Sequence, residues 1–118
     1  MHNYKELIAW QKARILVKDV YLLIANFPDE EKFGITSQIK RAVISIPSNI
    51  AEGAGRSSNK EFLRFLDIAN GSAFELETQI QLAFDLNFIN KEVLENISDK
   101  IIEVEKLIYG FKNKLSNN

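Results

Sequence analysis

The strongest structural signal lies in residues 90–116, NKEVLENISDKIIEVEKLIYGFKNKLS. Asn90 is a candidate N-cap residue, and Glu92 in the first turn suits the positive end of a helix. The apolar residues that follow recur at alternating steps of three and four, and this set comprises Leu94, Ile97, Ile101, Val104, Ile108, Phe111 and Leu115. Since such spacing places side chains on one face of a helix, the stretch predicts a long amphipathic helix that packs in a bundle.

Upstream of this stretch, residues 5–26 predict another amphipathic helix. One apolar row comprises Trp10, Ala13, Val17, Val20, Ile24 and Phe27, and an adjacent row comprises Ala9, Leu16 and Leu23. Together they make a stripe wider than a two-helix contact requires. Pro28 ends the helix, because the residue before a proline is pushed out of the α region.

The second predicted helix begins near Asp29 or near Thr36, with Thr36 or Ser37 as the N-cap in the latter case. Its apolar spacing continues to Ala51, and Gly53 and Gly55 end it. Pro47 lies inside the pattern and removes one backbone donor. We expect a kink there, and the alternative is a complete break.

The third predicted helix opens at residues 57–59, where Ser58 and Glu61 have the spacing of a capping box. Its heptad pattern is expected to comprise Phe62, Phe65, Ala69, Ser72, Leu76, Ile80, Ala83 and Asn87. The small residues 70–73 lower helix propensity but allow another backbone to approach. Four amphipathic helices joined by short loops predict an all-α, antiparallel up-down-up-down four-helix bundle. We expect residues 1–118 to form this single domain.

The amino-acid composition excludes several classes of active site. The chain has 118 residues, no cysteine, a single histidine at position 2 and a net charge of -1. Cysteine nucleophiles, thiolate metal sites and histidine-based triads are therefore excluded. We expect no catalytic residues, no metal site, no cofactor and no enzymatic activity. We also expect the terminus around His2 to be disordered. No signal peptide or membrane span is recognisable, which predicts a cytoplasmic protein.

The charges are unevenly distributed along the chain. Residues 1–64 carry ten Lys and Arg against seven Asp and Glu, whereas residues 65–118 carry five against nine. The candidate nucleic-acid-binding residues are accordingly Lys12, Arg14, Lys18, Lys40, Arg41, Arg56, Lys60 and Arg64. The alternative interpretation is a set of solvated charges on helix exteriors.

Residues 45–56, SIPSNIAEGAGR, depart most from a regular helix pattern. Ser45, Ser48, Asn49 and Glu52 form a candidate polar cluster. It is either a ligand or partner site, or a set of groups that hydrogen-bond within the fold. The two glycines followed by a helix start could bind phosphate, but the glycine-rich motifs of nucleotide sites are incomplete here.

Four blocks together carry a family resemblance: residues 10–13 (WQKA), 38–42 (QIKRA), 45–53 (SIPSNIAEG) with Arg56, and 69–77 (ANGSAFELE). In order and content the chain resembles the bacterial four-helix-bundle family of proteins encoded in intervening sequences of large-subunit ribosomal RNA genes. That fold is shared by the accessory variability proteins of diversity-generating retroelements. The resemblance implies a protomer that assembles into a ring-shaped homopentamer. In the retroelement branch, the ring binds nucleic acid and a reverse transcriptase through a basic surface.

Two functional hypotheses follow. The first is a non-enzymatic homo-oligomeric accessory protein that binds RNA or a nucleoprotein partner. The second is a protein-interaction scaffold with no nucleic-acid role, which the acidic net charge favours.

Overall fold

The computed structural model describes residues 2–117, and within them it contains four long helices and no strand. The prediction of an all-α four-helix protein is therefore confirmed. Short 3₁₀ turns lie at Tyr4–Glu6 and Asp29–Glu31. The four helices are α1 (Ile8–Ile24), α2 (Ile35–Ala54), α3 (Asn59–Asp85) and α4 (Lys91–Ser116).

The helices pack around a square, in which α2 and α4 each contact both α1 and α3. Helices α1 and α3 occupy opposite corners and do not pack on each other. Neighbouring helices run in opposite directions, because the end of one meets the start of the next. The Tyr21 ring centre near the end of α1 lies 5.5 Å from the Lys40 ammonium near the start of α2. The tilted rings of Phe62, near the start of α3, and Phe111, near the end of α4, lie 5.4 Å apart.

Helix starts follow the predicted caps in two cases and differ in one. The Ser58 hydroxyl accepts a hydrogen bond from the Glu61 amide at 3.2 Å, and the Asn90 side chain accepts one from the Val93 amide at 2.8 Å. The proposed cap at Thr36 or Ser37 is wrong. Helix α2 already begins at Ile35 after Gly34, so Thr36 is inside the first turn, where it is buried.

Helix α2 continues without interruption through Pro47, so the alternative of a complete break is wrong. The proline nitrogen cannot donate to the Val43 carbonyl one turn earlier. A bend at this position stays a prediction.

The core consists of apolar side chains from all four helices. In α4 the predicted stripe is buried at Ile97, Ile101, Val104, Ile108 and Leu115. The α3 stripe needs correction, because Leu66 and Ala73 fill the core where Phe65 and Ser72 were expected. Asn87 lies beyond the end of α3 in a left-handed turn with φ 66°.

Helices α2 and α3 approach each other closely at Gly53. A Cβ atom built at Gly53 would lie 2.7 Å from the Cβ of Phe65 and 2.8 Å from Cδ1 of Phe62. Only a glycine allows α3 to come this close, so Gly53 contributes to packing rather than ending the helix.

His2 packs against the bundle, which differs from the expectation of a disordered terminus. The His2 backbone N–H donates to the Ala54 carbonyl at 3.0 Å, and the His2 ring lies edge-on to Phe62 at 5.1 Å. The segment before α1 covers the end of the bundle where α2 ends and α3 begins.

Candidate nucleic-acid interface

The eight candidate basic residues are all exposed, but the fold does not gather them into one cluster. Lys40, near the start of α2, lies beside Tyr21 in the second half of α1, and the exposed Arg41 follows it on α2. Lys60 and Arg64 lie in the first two turns of α3, at the opposite end of the bundle. The structure therefore has two basic regions, one on the outer side of α1 and α2 and one where α2 meets α3.

Two of the exposed cations, one on α1 and one on α2, lie over aromatic rings. The guanidinium carbon of Arg14 lies 5.7 Å from the centre of the Trp10 ring, and the Lys40 ammonium lies 5.5 Å from that of Tyr21. Contacts of this kind are worth about 0.5–1 kcal/mol at exposed sites and leave the charge available to a ligand. We call the surface formed by Arg14, Lys40 and Arg41 the basic face.

Two of the other candidates are already engaged by carboxylates. Arg56 binds Glu52 at 3.0 Å and lies 4.7 Å over the Phe65 ring, and Lys12 lies 3.8 Å from Glu103. Within residues 2–117, the remaining six have no carboxylate oxygen within 4.0 Å: Arg14, Lys18, Lys40, Arg41, Lys60 and Arg64.

The candidate polar cluster in α2 makes its contacts inside the protomer. The Asn49 side-chain amide donates to both the carbonyl and the hydroxyl oxygen of Ser45 at 2.8 Å. The Ser72 hydroxyl donates to the Ser45 hydroxyl at 2.9 Å and so links α3 to α2. Glu52 is bound by Arg56, whereas Ser48 is exposed. Ser45 and Asn49 thus hydrogen-bond within the protomer, and one of these bonds joins α2 to α3.

Glu77 and Glu105 form a carboxyl pair that sequence reasoning missed. They meet across α3 and α4, and Oε2 of Glu105 is buried. Burial, then the hydrogen bond to Glu77 and the charge of Glu77, raises the pKa of Glu105 to about 8. The Glu77–Glu105 pair therefore retains a proton to higher pH than two separate glutamates would. In the sequence, partial burial of Glu105 is indicated only by its position four residues after Ile101, beside the apolar stripe of α4.

Neither metal chemistry nor a membrane span finds support in the part of the chain that the structure describes. Residues 2–117 hold no group of three or more His, Asp or Glu side chains placed to bind a metal ion. None of the helices in this range combines the length and the apolar character needed to cross a bilayer.

Fold and surface together define an all-α four-helix bundle with a basic face and an internally bonded polar cluster. The chain belongs to the family of 23S rRNA-intervening sequence proteins, whose model matches residues 5–110. The resemblance carried by the four sequence blocks is thus confirmed. Neither this family description nor that of the solved structure below names a reaction.

One similar solved structure is a crystal structure of a protein with unknown function from the S23 ribosomal protein family of Bacteroides thetaiotaomicron. It is 26% identical and superposes with a TM-score of 0.78, covering 89% of this chain and 98% of that chain. No curated protein matches the chain.

Proposed function

We propose that the protein is a non-enzymatic, homo-oligomeric accessory protein of the cytoplasm that binds RNA through its basic face. The observation that carries this proposal is the set of cations on α1 and α2 that have no carboxylate within 4.0 Å among residues 2–117, two of which lie over aromatic rings. Phosphates bind such cations, and unstacked RNA bases stack on exposed rings and guanidinium planes. The family description, which refers to 23S rRNA, supports an RNA context.

Self-association matters because a single protomer offers few phosphate contacts. The net charge of -1 gives no overall attraction to RNA, so one basic face is expected to bind weakly. Several copies in one assembly present several faces to the same RNA, which raises the apparent affinity without new contacts. The homopentameric ring implied by the family resemblance would present five.

The test is binding of a structured RNA hairpin to the full chain, measured by fluorescence anisotropy at several salt concentrations. The triple variant Arg14→Gln, Lys40→Gln, Arg41→Gln should bind at least 10-fold more weakly. The slope of log affinity against log salt should fall by about 2 to 3, because three phosphate contacts are lost.

A matched control removes three exposed lysines from α4: Lys91→Gln, Lys106→Gln, Lys114→Gln. This control should affect binding much less than the basic-face variant. Equal losses in the two variants would show that only overall charge matters. No binding by wild-type protein at about 50 mM salt would exclude the RNA-binding function.

The second candidate function is a protein-interaction scaffold. Exposed apolar side chains favour it, since Phe74 on α3 and Leu86 just beyond the end of α3 are both more than half exposed. Absence of RNA binding combined with an intact assembly would favour this function over the first.

A further inference from the structure

The outer side of α1 carries a regular apolar row. Ile8, Ile15 and Leu22 follow one another at seven-residue steps and are 60%, 54% and 64% exposed. Because seven residues are close to two helical turns, the three side chains lie along one line. This α1 row points away from the core, which other α1 residues fill.

The outer side of α3 carries a second row with steps of three and four: Ile68, Gly71, Glu75, Thr78 and Leu82. Ile68 and Leu82 at its two ends are 41% and 46% exposed. A Cβ atom at Gly71 would meet nothing within 4 Å, so nothing inside the protomer requires glycine here. An exposed glycine in mid-helix costs about 1 kcal/mol relative to alanine, yet it lets another helix approach closely.

The two rows match in length. Each spans fourteen residue steps, from Ile8 to Leu22 and from Ile68 to Leu82, which corresponds to about 21 Å of helix. Their centres, Ile15 and Glu75, coincide whether two such helices meet in parallel or antiparallel orientation.

The rows also match in charge. Lys18 lies one turn from Ile15 and has no carboxylate within 4.0 Å among residues 2–117. In the same range Glu75 has no lysine or arginine nitrogen within that distance, and its carboxylate accepts only from the Gln79 amide at 3.1 Å. Asp19, the acidic residue beside the α1 row, is already bound by Lys100 at 3.1 Å. Lys18 beside the α1 row and Glu75 in the α3 row thus carry opposite charges, and neither forms an ion pair within residues 2–117.

From these observations we infer that the α1 row of one copy packs along the α3 row of a second copy, with Lys18 beside Glu75 of that copy. This inference rests on the self-association in the proposed function and specifies its interface. Because α1 and α3 occupy opposite corners of the bundle, each copy offers one row and receives the other. Such a heterologous contact closes into a ring if the rotation between copies permits.

Charge reversal tests the inference on the full chain, with mass measured by light scattering at 1–100 µM. Lys18→Glu and Glu75→Lys each place like charges together and should raise the dissociation constant of the assembly at least 10-fold. Combining both changes in one chain restores opposite charges and should restore the assembly. Lys91→Glu and Glu95→Lys on α4 are controls that should leave the mass unchanged.

A second pair of variants avoids dependence on charge. Gly71→Leu places a bulky side chain between the two helices and should dissociate the assembly, whereas Gly110→Leu should not. Both positions are exposed and have open space at Cβ, so both variants should fold with an unchanged circular dichroism spectrum.

The outcomes separate this interface from the broader proposal. Wild-type protein that is monomeric at 100 µM would overturn both the interface and the homo-oligomeric function. A stable wild-type assembly whose mass is unchanged by Lys18→Glu, Glu75→Lys and Gly71→Leu would overturn the interface alone. Failure of the double charge variant to reassemble would overturn the pairing of these two rows. Loss of RNA binding with this interface intact would affect only the proposed function.

Discussion

Replacing Gly53 with alanine tests the close approach of α2 and α3. The new Cβ atom would lie 2.7 Å from the Cβ of Phe65, whereas ordinary carbon contacts lie at about 3.5–4.0 Å. A Cβ atom is fixed to the backbone, so Phe65 cannot move aside by changing its rotamer. The two helices must therefore separate by about 1 Å, or the Phe62 and Phe65 side chains must repack together with the backbone.

Two opposing effects set the size of the change. Alanine favours the helix over glycine by about 1 kcal/mol. Overpacking a close-packed core costs about 1–3 kcal/mol, and the rigid contact at Gly53 places the cost near the upper end. We therefore expect Gly53→Ala to lower the free energy of unfolding by about 2 kcal/mol.

Urea unfolding, followed by far-UV circular dichroism at one fixed protein concentration, measures this change. Gly110→Ala is the matched control, because its Cβ would meet open space. It should raise the free energy of unfolding by up to about 1 kcal/mol through helix propensity. If Gly53→Ala proves as stable as wild type, the close approach described for α2 and α3 is incorrect.

Three further variants test single interactions by the same unfolding measurement. Glu105→Gln should alter the pH dependence: the folded-state pKa of Glu105 is raised from 4.5 to about 8, so its contribution to stability is complete below about pH 4.5 and is lost as pH rises through 8. The variant should lack this loss and be the more stable protein at pH 9. Ser58→Ala removes the N-cap of α3 and should cost about 1 kcal/mol. Asn49→Ala removes two hydrogen bonds to Ser45 and should cost about 1–2 kcal/mol.

Each of these variants has a defined contradictory result. Wild-type and Glu105→Gln proteins with parallel pH profiles would show that Glu105 ionises normally. Ser58→Asp retains an oxygen acceptor and should keep wild-type stability, so an equal loss in Ser58→Asp and Ser58→Ala would exclude capping as the cause. Asn49→Ala without effect on stability would show that water replaces the amide at no cost.

The sequence predicted helix types and most boundaries well, because apolar spacing is a property of each helix by itself. Its errors occurred where two helices determine the outcome. On α3, Phe65 fits an apolar heptad, but the core follows the 3.6-residue period to Leu66. The Thr36 hydroxyl could cap a helix, but α2 begins at Ile35, directly after Gly34. Thr36 therefore lies inside the first turn, where it is buried.

Surface features were harder to predict, because they depend on which helices are neighbours. The sequence predicted both Lys12 and Lys18 as nucleic-acid-binding residues. Only the packing of α1 on α4 shows that Lys12 lies beside Glu103. The pairing of Glu77 with Glu105 joins residues 28 positions apart and has no local pattern. Cation–ring contacts at Tyr21 likewise require the α1–α2 arrangement.

The four-residue connection at 55–58 and the close contact at Gly53 have a kinetic consequence for this chain. Closing a short loop loses little entropy, so α2 and α3 can form a hairpin before α1, which residues 25–34 separate from α2, joins it. Pulse-labelled hydrogen exchange during refolding should then protect amides of Ile50 and Leu66 earlier than those of Val20. Protection that arises simultaneously in all four helices would mean that no hairpin nucleus precedes the complete bundle.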